Sequence, residues 1–333
     1  MKITYIFRAP SKERSIERVF NPIISRIREK GYHTEVVCAL STKFWPWTMI
    51  KNMIHFSRLS RHSICHITGD IQYIGCFMNP KNTILTIHDL VSIHNNKTPW
   101  WFKKIVYWLW YFIPLKRLKY ITCISERTEQ DLIANFPWVR GKIHVVHNPV
   151  GDEFLPSPIP VVNHLPVILH VGTRLNKNLL RVIEAMKYIK ATLRIIGQLD
   201  KEQKNALDAS KINYSNVYNL DDLDLIHEYQ SCNIVSFPSL FEGFGMPIIE
   251  AQAVGRPVLT SNREPMSSVS GQAAVLVDPE SVESIRDGFK QLISDTNLQQ
   301  KCITLGYENV KRYKSSSIAR SYEELYILMI NKR

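Results

Sequence analysis

Two glutamates eight positions apart, Glu242 and Glu250, lie in the segment whose residue types point most clearly to chemistry. An apolar run typical of a buried strand precedes them, and Gly243 and Gly245 permit a tight turn that a ligand can approach closely. Pro247 favours the first turn of a helix, which places Glu250 about one turn further on. A helix N-terminus binds anions and carboxylates accept hydrogen bonds from hydroxyls, so the segment suits a phosphorylated sugar. The alternative, an ordinary glycine turn flanked by acids, does not explain the combination.

A second group of candidate residues, Gly172, Arg174 and Lys177, follows a predicted strand at 167–171. Arginine can bind a phosphate through two parallel hydrogen bonds, whereas lysine acts as a point charge. The two cations therefore suit a diphosphate. A solvated basic loop is the alternative interpretation.

His88 and Asp89 directly follow a predicted strand at 83–87. Polar side chains at the carboxyl end of a parallel strand lie at the edge where α/β sheets bind ligands. Taken alone, such a histidine more often satisfies a local hydrogen bond. Because the other candidate residues also point to a ligand site, His88 is predicted to contact a ligand.

Short apolar runs alternate with helical segments along the chain, which is typical of parallel sheets covered on both faces. Strands are predicted at 3–7, 34–38, 64–67, 83–87, 120–124, 143–146, 167–171, 193–196, 217–218, 233–237 and 257–260. Five prolines between positions 149 and 166 indicate a linker between two doubly wound domains. The expected ligand site is the cleft at the carboxyl ends of both sheets.

The charge of the chain is unevenly distributed. Its 333 residues carry a net charge of +12, and residues 1–150 hold 22 Lys and Arg against 9 Asp and Glu. A basic half predicts an anionic partner, whether nucleic acid, membrane or phosphorylated substrate.

The six scattered cysteines predict a reducing compartment without disulfides. The longest apolar run has eleven residues, whereas a transmembrane helix needs about 20, and the N-terminus lacks a signal-peptide pattern.

Taken together, these motifs resemble those of the family 4 retaining glycosyltransferases (glycosyl transferases group 1), which have the GT-B fold. Glu242 and Glu250 match the two glutamates of the family's E-x7-E signature. The stretch 85–90 resembles the family's strand-end His-Asp, and 121–126 with 146–150 resemble the end of its first domain. The stretch 170–179 resembles its Arg/Lys turn. The matches follow the family's order over most of the chain.

The resemblance implies an α/β protein with two Rossmann-like domains that face each other across a cleft. Residues 1–155 would bind the acceptor, with a C-terminal helix near 315–333 crossing back to them, and residues 156–314 would bind the nucleotide-sugar. Arg174 and Lys177 would neutralise the diphosphate of the donor as it departs.

The resemblance also assigns roles to the other candidates. Glu242 and the amides near Phe244 would bind the transferred sugar, Glu250 the ribose, and His88 the sugar from the first domain. The expected donor-binding residues are Gly172, Arg174, Lys177, Gly243, Phe244, Gly245 and Glu250, and the expected catalytic residues are His88, Arg174, Lys177 and Glu242.

No metal or other cofactor is expected beyond the donor substrate, because the family relies on its Arg/Lys pair. A metal-binding DxD pattern is present at Asp221, Asp222 and Asp224, but acids in these positions are better explained as residues that cap and stabilise a helix N-terminus. The loop at 8–17 departs from the family because it lacks a Gly-Gly pair, which leaves its contacts with the donor open.

Two stretches of the basic half, 44–61 and 99–119, mix aromatic and basic residues. The mixture suits a membrane interface, and it also suits stacking on single-stranded nucleic acid or a helix packed on the sheet. No nucleic-acid-binding module is recognisable, so no nucleic-acid partner is expected. The expected location is the cytoplasm, with peripheral contact at the anionic inner face of the cytoplasmic membrane.

The sequence therefore predicts a metal-independent retaining hexosyltransferase of surface polysaccharide or lipopolysaccharide biosynthesis. GDP-mannose or a UDP-sugar is the expected donor, and a glycan or polyprenyl-diphosphate-linked saccharide is the expected acceptor. Two alternatives stay open, a GT-B-like sugar epimerase and a non-enzymatic protein that binds membrane or nucleic acid. The second alternative leaves Glu242, Glu250, Arg174 and Lys177 without a role.

Overall fold

The structure, a computed structural model, describes residues 2–10, 15–41, 45–90, 99–161 and 165–332. All strand pairs within its two sheets are parallel. The strands are β1 Lys2–Phe7, β2 His33–Cys38, β3 Ile64–Ile67, β4 Thr83–Ile87, β5 Tyr120–Cys123, β6 Ile143–Val145, β7 Val167–Val171, β8 Thr192–Ile196, β9 Asn213–Val217, β10 Ile234–Phe237, β11 Val258–Ser261 and β12 Ala274–Val277.

Helices connect most of these strands. The α-helices are α1 Ser15–Glu29, α2 Pro46–Leu59, α3 Trp100–Val106, α4 Ile113–Arg117, α5 Glu126–Asn135, α6 Leu179–Met186, α7 Lys201–Ser210, α8 Asp222–Ser231, α9 Met246–Ala253, α10 Met266–Ser270, α11 Val282–Ser294, α12 Thr296–Val310 and α13 Ser315–Asn331. A π-helical stretch, Tyr107–Phe112, joins α3 to α4.

The chain divides into two compact units. Unit 1 comprises Met1–Pro149 and Ser315–Arg333, and unit 2 comprises Val150–Lys314. The boundary thus lies within the linker predicted from the prolines, six residues before the one that the family resemblance implied. The C-terminal helix α13 belongs to the first unit.

Unit 1 contains a six-stranded sheet in the order β2-β1-β3-β4-β5-β6. One face is covered by α1 and α13, where Phe20, Tyr322 and Tyr326 are buried. His66 of β3 lies within this core and bonds to the Tyr326 hydroxyl at 2.7 Å and to the Thr86 hydroxyl at 2.7 Å. The partners let a buried imidazole stay hydrogen-bonded, so the helix is fixed to the sheet by polar as well as apolar contacts.

Unit 2 contains a second six-stranded sheet, in the order β12-β11-β10-β7-β8-β9. Its core lies between the sheet and helices that include α6 and α11, where Val182, Ile183 and Phe289 are buried. Arg256, which follows α9, is also buried and donates to the carbonyls of Ser157, Pro158 and Gln230. This guanidinium attaches the proline-rich segment after residue 150 to the body of the unit.

The strands predicted from apolar runs match the structure closely in the middle of both sheets. The two edge strands of unit 2 were harder to predict. The expected strand at 217–218 is in fact β9, Asn213–Val217, and β12 was not predicted. An edge strand has one neighbour only, so its sequence needs less apolar character, and β9 reads Asn-Tyr-Ser-Asn-Val.

Candidate functional site

The candidate residues of unit 2 lie where its strand order reverses. β7, the first strand of the unit, pairs with β10 on one side and β8 on the other. The chain after β7 and the chain after β10 leave two adjacent parallel strands, with His170 beside Ser236 in register. Doubly wound sheets bind ligands at this switch point, outside the carboxyl ends of the strands.

The loop after β7 is built around Gly172 and Lys177. Gly172 has φ +97°, and a Cβ at this position would lie 2.8 Å from Cγ of Lys177. The glycine therefore provides the space in which the lysine side chain lies. A 3-10 turn, Leu175–Lys177, follows, and the amide of Lys177 donates to the carbonyl of Arg174 at 2.8 Å. Arg174 itself is exposed at the start of that turn.

Lys177 and Glu242 form an ion pair across the switch point. Nζ of Lys177 lies 2.7 Å from Oε1 of Glu242, and the two side chains are only 19% and 14% exposed. The ammonium also lies 4.5 Å from the ring centroid of Phe237, the last residue of β10. Partial burial strengthens the electrostatic interaction relative to one in water. The arrangement offers both a cation for phosphate and a carboxylate for hydroxyl groups.

Two asparagines that the sequence analysis did not select hold these loops together. Asn176 donates to Oε1 of Glu242 at 3.0 Å and to the carbonyl of Phe241 at 3.1 Å. Asn178, with φ +67°, donates to the carbonyl of Pro238 at 3.0 Å. Asparagine tolerates positive φ better than most residues, and the spacing Asn-Lys-Asn before a helix is a signal that could have identified the pair.

The loop after β10 turns into α9 at Gly245, which has φ +117° and caps the helix. Phe244 is buried, and its ring lies edge-on to that of Tyr313 at 5.6 Å. Its side chain thus anchors the loop, and any ligand contact would come from the backbone, as the sequence analysis expected. Gly243 and Gly245 flank it at the N-terminus of α9, where the helix dipole is positive.

Glu250 lies in α9 and is oriented by a residue from another helix. The hydroxyl of Tyr229, in α8, donates to Oε2 of Glu250 at 2.6 Å. Tyr229 is fully buried, with the ring of Phe154 edge-on to it at 5.7 Å. A buried phenol that fixes a carboxylate was not foreseen, because no local pattern links positions 229 and 250.

His170 lies in β7 beneath the ion pair and is fully buried. Burial, aided by the positive charge of Lys177, lowers the pKa of its imidazole to about 3. The ring is therefore neutral at physiological pH. It adds no positive charge to the site.

His88 belongs to unit 1, at the carboxyl end of β4. Its Nε2 lies 2.7 Å from the carbonyl oxygen of Thr68, so this nitrogen carries the proton and donates it. The ring packs on Gly69, where a Cβ would lie 2.6 Å from Cδ2 of His88. Asp89 is exposed beside it. The structure thus gives His88 the local partner that the simpler interpretation expected.

Other predicted features take the following places. The carboxylate of Asp221 caps α8 by accepting from the amide of Asp224 at 2.8 Å. All six cysteines are free thiols. Across the described residues, no three His, Cys, Asp or Glu side chains converge as a metal site would require. Nor does any helix in the described part of the chain have the length and apolar character needed to cross a bilayer.

Comparison with known proteins places both units in one family. The family described as Glycosyltransferase Family 4 matches residues 16–154, and the family described as Glycosyl transferases group 1 matches residues 154–309. A curated relative, the serotype-specific mannosyltransferase WbdA of Escherichia coli, is 38% identical over 282 residues, which cover 70% of this chain and 34% of that protein. The chain spans between about a quarter and a half of the length of the first curated relatives it matches.

Solved structures agree on the fold. The sucrose-phosphate synthase of Thermosynechococcus elongatus matches with a TM-score of 0.79 at 14% identity, over 100% of each chain. Anabaena HepE, in complex with UDP and glucose, matches with a TM-score of 0.73 at 13% identity, over 98% of this chain and 99% of its own. These similarities confirm the GT-B fold expected from the motifs. Since the two family matches run nearly end to end through both units, the chain belongs to the family 4 glycosyltransferases, glycosyl transferases group 1.

Proposed function

We propose that this protein is a retaining glycosyltransferase that moves a hexose from a nucleotide-diphosphate sugar to a glycan or lipid-linked saccharide of a surface polysaccharide. The observation that carries the proposal is the Lys177–Glu242 pair at the switch point of unit 2. A donor of this kind presents phosphate oxygens and sugar hydroxyls side by side, and the pair presents a matching cation and carboxylate. The matched mannosyltransferase supports the same class of reaction.

The donor would be held by three groups of residues. Lys177 and the exposed Arg174 neutralise the diphosphate, and Gly172 keeps the space for the lysine. Glu242 and the backbone from Gly243 through Phe244 to Gly245 bind the transferred sugar. Glu250, oriented by Tyr229, accepts hydrogen bonds from the ribose.

The identity of the base separates two versions of the proposal. The mannosyltransferase relative favours GDP-mannose, whereas the structural neighbour in complex with UDP and glucose favours a UDP-sugar. No described side chain of the site decides between them, since phosphate and ribose contacts are common to both nucleotides. We give GDP-mannose precedence because its support comes from the sequence relative, at 38% identity.

The proposed reaction retains the anomeric configuration and needs no metal. The bond between the sugar C1 and the phosphate oxygen breaks, while an acceptor hydroxyl forms its bond to C1 on the same face. That hydroxyl gives its proton to the departing phosphate, whose charge Arg174 and Lys177 stabilise. His88 of unit 1 contributes contacts to the transferred sugar in this scheme.

A donor screen tests the proposal. GDP, UDP and ADP, each with its hexose conjugates, are compared by the shift in melting temperature, since a ligand of the native state stabilises it. The donors that bind are then followed for turnover with and without EDTA. The proposal fails if no nucleotide-sugar binds or is consumed, and its metal-independent form fails if EDTA abolishes turnover.

Site variants provide the controls for the donor screen. Glu242→Ala and Arg174→Ala should each lower turnover by roughly 100-fold or more, as the loss of one group that stabilises the transition state does. Glu228→Ala is the matched control, because Glu228 is also ion-paired in unit 2, with Arg194, and is 13% exposed. Equal activity of Glu242→Ala and Glu228→Ala would exclude the assigned site. A product with inverted configuration by NMR would exclude the retaining mechanism.

We further propose that unit 1 meets its acceptor at an anionic membrane surface. The outward face of α2 presents Trp47, Ile50 and Ile54, which are 76%, 45% and 48% exposed. Lys51 and Arg58 border them on the same helix face and are also exposed. Positions three and four apart share one face of a helix, so the apolar and basic groups form one stripe.

The neighbouring sequence reinforces this stripe. No aspartate or glutamate occurs from position 36 to 69 or from 90 to 125, and these stretches hold ten lysines and arginines. Trp100 and Trp108, on the helical segment that begins with α3, are exposed as well. Exposed tryptophan beside a surplus of basic residues is typical of a helix that lies at a lipid interface.

Vesicle flotation tests the membrane proposal. Vesicles of phosphatidylglycerol and phosphatidylcholine should retain the protein more strongly than vesicles of phosphatidylcholine alone, and Trp47→Ser should weaken that retention. Leu223→Ser, which removes a side chain of similar exposure (77%) from unit 2, is the control. Equal retention on both vesicle types, or no effect of Trp47→Ser, would contradict it.

A further inference from the structure

Unit 1 repeats, at its own switch point, the charge arrangement found in unit 2. β1 pairs with both β2 and β3, so the chain after β1 and the chain after β3 leave adjacent strands. Arg8 directly follows β1, and Asp70 lies three residues beyond β3. Nη1 of Arg8 lies 2.8 Å from Oδ2 of Asp70, compared with 2.7 Å between Lys177 and Glu242 in unit 2.

The backbone that carries Asp70 is held from three sides. The amide and the hydroxyl of Thr68 both donate to the carbonyl of Ile6, at 3.1 and 2.9 Å. His88 donates to the carbonyl of Thr68, and the indole of Trp110 donates to the carbonyl of Asp70 at 3.3 Å. Asp70 adopts φ +59°, a conformation uncommon outside glycine. The backbone that carries the carboxylate is therefore fixed, and Arg8 holds the carboxylate itself.

Exposure distinguishes the two members of the pair. The Arg8 side chain is 14% exposed, whereas that of Asp70 is 53% exposed. Arg8 also lies 3.7 Å from a carboxylate oxygen of Glu17, so its charge is shared between two acids. Among the described residues, the group formed by Arg8, Asp70 and Glu17 has one more acid than base. A neutral ligand rich in hydroxyls would find a hydrogen-bond acceptor that is already oriented.

We propose that Asp70 binds hydroxyl groups of the acceptor saccharide and helps to determine which saccharide is accepted, with Arg8 as the residue that positions it. The inference rests on the proposed function, because it names the acceptor side of that reaction. It also gives a role to the glycine-free loop after β1, whose first residue is Arg8. Asp70 does not act on the donor in this scheme.

Binding of simple saccharides to the protein of 333 residues tests the inference directly. The probes are the methyl α-glycosides of mannose, glucose, galactose and N-acetylglucosamine, followed by saturation-transfer NMR in the presence of the nucleotide that the donor screen selects. Wild-type protein should bind at least one of them, and Asp70→Ala should weaken that binding by about tenfold, as expected for loss of a hydrogen bond to a charged group. The affinity for the nucleotide should change by less than about twofold, since Asp70 contacts the acceptor alone.

Three controls make the result decisive. Glu29→Ala removes another ion-paired carboxylate of unit 1, bonded to Arg26 near the end of α1, and should bind the probe like wild type. Asp70→Asn keeps the side-chain shape and replaces Asp70→Ala if the latter fails to fold. Arg8→Lys should weaken binding in the wild-type background but have little further effect in Asp70→Asn, since Arg8 acts through Asp70.

The outcomes separate this inference from the proposed function. Failure of every probe to bind, or equal binding by wild type and a folded Asp70 variant, overturns the role of Asp70. Loss of nucleotide affinity in that variant in parallel with saccharide affinity also overturns it. Absence of donor turnover by wild type counts instead against the proposed function, whatever the saccharide result.

Discussion

Replacing Gly172 with alanine should disable the candidate site through one added methyl group. The Cβ would lie 2.8 Å from Cγ, 3.1 Å from Cε and 3.2 Å from Cδ of Lys177. The separation of 2.8 Å is shorter than real Cβ contacts and the other two are tight, so the lysine side chain has to shift. Its ammonium would then move away from the carboxylate of Glu242, which lies 2.7 Å from it in the native protein.

Two separate effects set the expected magnitudes. Alanine at φ +97° strains the backbone and should lower the free energy of unfolding by about 1–3 kcal/mol. Displacement of the ammonium removes a group that stabilises charge on the departing phosphate, which typically costs about 3–4 kcal/mol of transition-state stabilisation. The second effect corresponds to a fall of roughly 100- to 1,000-fold in kcat/KM.

Gly31→Ala isolates the second effect from the first. Gly31 has φ +86°, close to that of Gly172, but a Cβ there would meet no atom within 4 Å. Both variants should therefore lose similar stability in urea titrations, while only Gly172→Ala loses turnover of the nucleotide-sugar that the donor screen identifies. If the two variants turn over the donor equally well, Lys177 does not act where the ion pair places it, and the reasoning is refuted.

Three further perturbations test other parts of the structure. Tyr229→Phe removes the hydroxyl that donates to Glu250 but keeps the buried ring. Nucleotide affinity measured by calorimetry should therefore weaken about 3- to 10-fold, with little change in melting temperature. An unchanged affinity would show that the phenol is not needed to orient the carboxylate. Arg256→Met leaves several buried carbonyls without their donor and should lower the free energy of unfolding by about 3–5 kcal/mol. Urea titration would detect this loss, and a melting curve like that of the wild type would contradict it. Burial lowers the pKa of His66 and of His170 to about 3, so the unfolded chain binds more protons than the folded one below pH 6.5. The free energy of unfolding should therefore fall on acidification from about pH 6.5 towards pH 3, by up to about 1.4 kcal/mol per pH unit for each histidine. A His66→Gln variant in which this dependence on pH is undiminished would contradict that origin.

The central strands and the polar residues at their ends could be predicted from the sequence. A strand buried on both faces is mostly apolar, so β3, β4 and β7 were predicted with the bounds that the structure shows. The edge strand β9 carries a weaker signal because one side has no neighbour, and it was misplaced for that reason. β12 reads Ala-Val-Leu-Val, so its apolar signal was present and was missed.

Residues that orient the site could not be predicted in the same way. Asn176 and Tyr229 contact Glu242 and Glu250 from positions 66 and 21 residues away. The Asn-Lys-Asn spacing marks Asn176 as a candidate but does not indicate its partner, and no local pattern links Tyr229 to Glu250. Such groups become recognisable only when the packing of loops and helices brings the partners together.

The sequence by itself determined which residues are candidates for the chemistry: the glutamates of the E-x7-E segment, the cations after β7 and the histidine after β4. Tertiary structure decided which charges meet. Lys177 and Glu242 are 65 residues apart, and Arg8 and Asp70 are 62 residues apart. Each pair forms because the first strand of a doubly wound sheet lies inside the sheet, beside a strand that comes later in the chain. That placement results from the burial of both sheet faces by helices, a property of the whole unit that no short segment encodes.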